Sequence, residues 1–401
     1  MRILVLGVTL ATAMMVSSTR PSIHDARQPA TISGHVYFDR NGNGIHDAGE
    51  RGLRGVAVSN QDQVVVSDAE GAYHLSGPGS TGIVFVSVPN GYVSRGAFYV
   101  RVDGSPSNPG PLDFGMSSAP AATTLTFIHA SDTHIANASL PRTKRLRALI
   151  DSIRPAFVII SGDLVRDALR VGEAEATGYY ELFQREMALI APPVFTIPGN
   201  HEAFGIERDK SGVTADHPLY GRAMYRHYRG PDYYSFNRAG VHFVGLNSVD
   251  IDDTRYYGHV DSLQLAWLER DLAVIPPTMP VVTFNHIPFF SAMESVHGLS
   301  ESPPAPSIIT IGGKAQFRHT VSNAAEVLAK LRHHPYPLAL AGHIHARERL
   351  RFEGMTTRFE QSAAIVAPNP AAGMKFTSGI TVYRITGGVI DEGRFVPIGG
   401  A

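Results

Sequence analysis

The rhythm of apolar and polar positions changes twice along this chain. Between residues 31 and 116, short apolar and β-branched runs occur at 32–38, 56–59, 64–67, 72–75, 83–88 and 98–102. Turn-forming residues separate them: Asn41-Gly42, Asp62-Gln63, Glu70-Gly71 and Pro89-Asn90-Gly91. Runs this short between such turns predict strands, and their spacing predicts a small all-β sandwich. Residues 104–123 are rich in Gly, Pro, Ser and Ala and read as a linker. After it, strand-like runs at 124–130, 156–161, 194–198, 241–247, 281–285 and 337–341 alternate with helical periodicity at 142–153, 173–190, 262–274 and 322–333. Three further strand-like runs, 357–362, 379–385 and 393–397, have no helix between them. The expectation is an α/β layered domain over 124–401, two sheets flanked by helices, preceded by the small β-sandwich.

A third pattern lies at the start. Arg2 precedes an apolar run from Ile3 to Val16, with small residues at Ala11-Thr12-Ala13 and at Val16-Ser17-Ser18. Charge, short apolar core and small residues in that order predict a cleaved export signal over 1–18. The protein is therefore expected in the periplasm or outside the cell. No later stretch approaches the ~18 apolar residues of a membrane span, so a soluble mature chain is expected.

Composition narrows the chemistry. The 401 residues contain no Cys, which excludes disulfides, thiolate metal sites and cysteine nucleophiles. Lys and Arg number 35 against 36 Asp and Glu, so net charge gives no reason to expect nucleic acid as a partner. The 18 His residues matter because of where several of them fall.

Each of five predicted strands in the second half ends on a polar cluster. These are Asp132-Thr133-His134, Gly162-Asp163-Leu164-Val165-Arg166-Asp167, Gly199-Asn200-His201-Glu202, Asn285-His286 and Gly342-His343-Ile344-His345. Strand ends of an α/β sheet are where ligands bind. Imidazole and carboxylate together suit first-row transition metals such as zinc, iron and manganese. A carboxylate shared by two cations would set them ~3.5–4 Å apart, the arrangement that clamps both oxygens in a phosphoryl transfer. The glycines before Asp163, Asn200 and His343 are expected to let the backbone turn sharply beside a crowded ion.

These motifs, in this order, resemble those of the calcineurin-like metallophosphoesterase superfamily, over residues 124–385. The resemblance implies a two-sheet metallophosphoesterase sandwich. It implies one metal held by Asp132, His134, Asp163 and His345, and a second by Asp163, Asn200, His286 and His343, with Asp163 bridging. His201 is then the residue beside the scissile phosphate, as proton donor or charge stabiliser. Many members carry an Asp three residues after the bridging Asp. Here Arg166 holds that position and Asp167 follows, so Asp167 is the candidate to orient His201. Purple acid phosphatases place a metal-binding Tyr at the same offset, and Arg166 argues against such a site. The N-terminal half resembles the β-domain preceding some bacterial calcineurin-like phosphoesterases, through Gly34-His35-Val36-Tyr37, the 39–50 stretch and Ser67-Asp68-Ala69-Glu70-Gly71-Ala72-Tyr73.

Residues 39–50 also match the twelve-position calcium-loop template, with Asp39, Asn41, Asn43, Asp47 and Glu50 as candidate ligands and Gly44 at the turn. The flanks read as strand and turn, so no EF-hand helix pair is expected, and an ion-free Asn/Gly turn is the competing reading. The functional expectation is an exported phosphoesterase using two divalent transition metals (Mn, Zn or Fe) to activate water against a phosphomonoester or phosphodiester. The rival is a cell-surface binding protein whose phosphoesterase domain is inactive. Substrate choice is expected to lie in two long segments beside the motifs, 203–232 and 291–322. The composition of 104–123 further predicts that the second half folds without the first.

Overall fold

The computed structural model describes residues 31–102, 110–119, 124–293, 296, 306–366 and 376–399. The export-signal expectation over 1–18 lies outside the described residues. So do 104–109 and 120–123 of the linker stretch.

The N-terminal half is a sandwich of two four-stranded sheets. One runs, in spatial order, Ala72–Leu75, Ile32–Phe38, Phe114–Ser118 and Tyr92–Ser94. The other runs Val64–Val66, Ala57–Ser59, Ile83–Val86 and Tyr99–Arg101. The 104–123 stretch is therefore not all linker. Phe114–Ser118 lies parallel to Ile32–Phe38, with Val36 against Phe114, and Phe114 and Met116 are buried.

The second half is built on two six-stranded sheets. In the first, Val194–Ile197, Phe157–Ser161 and Thr124–Ala130 run parallel, followed by the antiparallel Gly379–Thr386 with its partners Val389–Ile390 and Arg394–Pro397. The second has the order Tyr234–Arg238, Val241–Gly245, Val281–Phe284, Leu338–Ala341, Arg358–Gln361 and Glu348–Leu350, its four central strands parallel. The run Phe157–Ser161 is buried at every residue, as a parallel strand covered on both faces must be. Phe157 and Ile159 face the second sheet, while Val158 and Ile160 pack under helices Leu140–Ile153 and Glu173–Met187. Between the sheets the core is aromatic: Phe127 stacks on Phe157 at 5.1 Å and on Tyr383 at 5.0 Å, and Phe195 on Phe236 at 3.8 Å.

Neither long segment is irregular throughout. Residues 203–232 contain helices Arg208–Ser211 and Arg222–Arg229. Residues 291–322 contain the hairpin Ile308–Ile311 with Lys314–Phe317. A second hairpin, Val249–Asp252 with Arg255–Gly258, was not legible as strands. Among the described residues no helix is long and apolar enough to cross a membrane.

The two halves share one hydrophobic cluster. Phe85 of the sandwich meets Trp267 at 6.3 Å and Tyr234 at 6.5 Å, both edge-on. Phe98 lies 5.0 Å from Tyr234 and 6.3 Å from Phe195. Hydrogen bonds rim this patch: Trp267 Nε1 to Ser59 Oγ (3.2 Å), Gln61 Nε2 to the Tyr233 carbonyl (2.9 Å), and Ser235 Oγ to Ser87 Oγ (2.9 Å). Removing the sandwich would bare this apolar face, which weighs against a second half that folds independently.

Candidate metal centre

The parallel strands of both sheets deliver their carboxyl ends to one cleft, and the five polar clusters meet there. Five of the seven proposed ligands have left-handed backbone: Asp132 (φ 55°), His134 (37°), Asp163 (49°), His343 (73°) and His345 (60°). Such angles are uncommon outside glycine, though Asp and His are enriched among the exceptions. Five together mark backbone held against its own preference, a recurrent property of functional sites. The glycine expectation needs correcting. Gly199 and Gly342 are not at positive φ; they are needed because a Cβ would lie 2.2 Å from Asp163 Oδ1 and 1.8 Å from Ser131 Oγ. Their role is close approach of two loops, and only Gly162 (φ 88°) makes the sharp turn.

Two groups of ligand atoms result, and they share one carboxylate. Asp132, His134, Asp163 and His345 form the first; Asp163, His286 and His343 the second. Asp163 Oδ2 lies 3.4 Å from His134 Nε2 and 3.2 Å from His286 Nε2. Asp132 Oδ1 lies 3.2 Å from His345 Nε2. Asn200 joins the second group through Oδ1, 3.2 Å from His286 Nε2.

The donor chemistry fits cations. His286 Nδ1 is 2.8 Å from the Ser161 carbonyl, a contact that requires a proton on Nδ1 and turns Nε2 toward Asp163, Asn200 and His343. Burial lowers this imidazole, but Asp163 and Asp132 outweigh it and raise it to about 9, so a cation would displace a proton from Nε2. His134 Nε2 and His345 Nε2 face each other at 3.1 Å, and His286 Nε2 and His343 Nδ1 at 3.2 Å. Lone pairs so placed need a proton or a metal ion between them. Burial works against the Asp163 carboxylate, but the imidazoles of His286, His201 and His134 outweigh it and hold this carboxyl well below the usual range. Burial pulls His134 down to about 4, and pulls His343 well below the ordinary value together with His286 and His319. Neutral imidazole, the form that binds metal, is thus the favoured state of both.

His201 stands at the rim. Its backbone N–H donates to Asp163 Oδ1 (3.0 Å), and its Nε2 is 4.0 Å from Asp163 Oδ2. The expectation that Asp167 orients it is not met. His201 Nδ1 donates instead to the Arg166 carbonyl at 2.7 Å, and Asp167 Oδ1 is 3.9 Å away. The Asp167 carboxylate is already taken by the Leu169 and Arg170 N–H groups and by the Arg170 guanidinium at 3.0 Å.

Two supporting residues escaped the sequence reading. Glu202 is buried; its Oε1 accepts from the N–H groups of Leu164 and Val165 and its Oε2 from that of Gly199, tying the Asp163 turn to the Asn200 turn. Burial, reinforced by Asp163, pushes its carboxyl up to about 8. His319 Nδ1 lies 2.8 Å from His343 Nε2, so a proton on that nitrogen leaves His343 Nδ1 free to face the second group. His319 follows the hairpin Lys314–Phe317 and carries no motif spacing; Glu202 could have been found as the last residue of Gly-Asn-His-Glu. Tyr256, 6.2 Å edge-on from His343, links the centre to a cavity of 420 Å³ lined by Arg318, Arg255, Lys210 and Ile308 among others.

The calcium-loop candidates lie together in residues 39–50 but close on one another. Asp39 accepts from the N–H groups of Gly42 and Gly44, Asn41 and Asn43 both donate to Asp47 Oδ2, and Glu50 accepts from the N–H groups of Arg40 and Asp47. Asp39, Asp47 and Glu50 are not among the described groups of three or more His, Asp or Glu close enough to share an ion.

The family model for calcineurin-like phosphoesterases matches residues 125–347. Purple acid phosphatase 23 of Arabidopsis thaliana is 29% identical over 164 residues, 39% of this chain and 29% of that protein's length. A dimetal phosphatase from Danio rerio aligns over 69% of this chain and 99% of its own, at 15% identity and a TM-score of 0.44. A Plasmodium protein described as the anchor in the inner membrane complex aligns over 69% of this chain and 85% of its own, at 14% identity and a TM-score of 0.41.

Proposed function

The chain belongs to the calcineurin-like phosphoesterase family, and we propose that it hydrolyses phosphate esters at a two-cation centre held by Asp132, His134, Asp163, Asn200, His286, His343 and His345. The observation that carries this reading is the position of Asp163 Oδ2 between His134 and His286, one carboxylate oxygen common to both ligand groups. Two divalent transition metals, of the Mn, Zn or Fe kind, supply Lewis-acid activation of water and neutralise charge on the phosphoryl oxygens.

The chain's own residues supply orientation and a proton. The Arg166 carbonyl fixes His201 with its proton on Nδ1. Nε2 then faces the cleft, where an imidazolium can donate to the departing oxygen and a neutral ring can accept. Glu202 keeps the Asp163 and Asn200 turns in register. The cavity beyond Tyr256 is the natural place for the alcohol part of the ester, between an apolar wall at Ile308 and the Arg318 guanidinium. Arg2 and the apolar residues 3–16 support export to the periplasm or the cell exterior.

The test is hydrolysis of an aryl phosphomonoester and an aryl phosphodiester by purified protein with manganese or zinc. His201→Ala should keep its metal while losing ~10²–10⁴-fold in rate, the usual range for general acid–base help. Protein that holds two equivalents of metal but hydrolyses neither ester faster than free metal would overturn the proposal in favour of a binding role.

A further inference from the structure

Away from the cleft, a third set of imidazole and carboxylate groups converges, and nothing in the reaction above uses it. His35 is on strand Ile32–Phe38, His46 is in the loop that follows, and Asp113 immediately precedes strand Phe114–Ser118. The parallel register that sets Val36 against Phe114 brings His35 beside Asp113. One nitrogen from each imidazole and one Asp113 oxygen lie within 4.8 Å of one another.

His35 and Asp113 hold each other, and His46 is held from outside the set. Asp113 Oδ1 accepts the backbone N–H of His35 at 2.7 Å and sits 3.3 Å from His35 Nδ1. His46 belongs to a polar surface loop, yet its ring stacks on buried Tyr37 at 4.5 Å and 23° and lies 5.2 Å from His35. The surroundings are acidic. Burial first, then Asp39, Glu50, Asp113 and Asp47, push the Tyr37 phenol up to about 12.

We infer that His35, His46 and Asp113 form a separate structural site for a divalent transition metal ion of the zinc type. Two imidazoles and one carboxylate suit first-row transition metals, whereas calcium takes oxygen donors. The His35 and Asp113 side chains are 39% and 27% exposed, which leaves the remaining coordination positions to water. The ion would clamp residues 39–50 to the sheet through His46, a different ligand set from the loop's own carboxylates.

The experiment uses the full chain, stripped of metal and titrated with zinc against a chromophoric chelator. His46→Gln is the main variant because His46 lies in a surface loop, and Asp113→Asn is the second. Far-UV circular dichroism and the metal-free melting temperature confirm that each is folded. Wild type should bind one equivalent more than either variant, or bind that equivalent at least ~10-fold more tightly, the loss expected when a metal site is disturbed. Equal stoichiometry and affinity in wild type and both variants would overturn the inference and leave a His–Asp contact with no ion. The readout is a difference between proteins with the same cleft, so it holds whether or not the cleft binds two metals.

Discussion

Phe85 offers the sharpest test of how the two halves are joined. It belongs to the N-terminal sandwich and is 1% exposed, yet its ring meets Trp267 and Tyr234 of the phosphoesterase half. Phe85→Ala removes a fully buried ring whose neighbours are strands and a helix that cannot collapse onto the gap. Such losses cost ~3–5 kcal/mol. With a urea m-value of about 3 kcal/mol/M, the unfolding midpoint should fall by ~1–1.7 M, and by less if m is larger. Trp267 is the chain's single tryptophan, so its emission reports on this boundary alone. Far-UV circular dichroism reports on both halves. If the shared core makes them one cooperative unit, the two signals should move together, and phosphoesterase activity should disappear in the same transition. The reasoning fails if dichroism shows an early sandwich transition while Trp267 emission and activity keep the wild-type midpoint.

Three further outcomes are expected. Glu202→Ala leaves three buried N–H groups without their acceptor, so metal affinity at the cleft should fall at least ~10-fold by chelator competition; unchanged affinity would show that the two turns hold their positions unaided. His319→Ala should weaken the binding of one metal ~10–100-fold, with partial recovery in His319→Gln, which can still accept from His343 Nε2; equal weakening in both variants would point to packing instead. Burial raises the Asp232 carboxyl, but Arg226, Arg222 and Asn247 outweigh it and set it below the ordinary value. Its stabilisation is therefore complete above the unfolded pKa of about 3.9 and lost as pH falls through the lower folded value. The melting-temperature gap between wild type and Asp232→Asn should be wide at neutral pH and close in acid; a constant gap would refute this.

The motifs of the cleft were legible because metal chemistry needs particular side chains at strand ends, and strand ends are marked by apolar runs that stop abruptly. Asp132, Asp163 and His343 each follow such a run within two residues. His319 was not legible, since it reaches His343 only through the fold of an inserted hairpin. Asp167 misled because sequence offset says nothing of competing partners, and Arg170 claims its carboxylate first. The union of the two halves was hidden for a different reason. The Gly- and Pro-rich stretch before Thr124 describes how freely the chain can bend there, whereas the union depends on Phe85, Phe98 and Trp267, which look like ordinary core residues.

The left-handed ligands have a consequence for the evolution and engineering of this cleft. A non-glycine residue in that conformation costs ~1–2 kcal/mol, less for Asp, whose short side chain can hydrogen-bond locally, so His134, His343 and His345 carry most of the backbone strain among the five. Replacing His343 with Ala would discard the imidazole and keep the strain. Replacing it with Gly would discard both, and the metal-free His343→Gly protein should melt higher than the His343→Ala protein. Selection for stability alone therefore pulls His343 toward glycine, and the proposed metal-binding role is what would hold it as His. Thermostabilising libraries screened without an activity readout should enrich His343→Gly, whereas Asp132, buried and accepting the His343 N–H, should be kept.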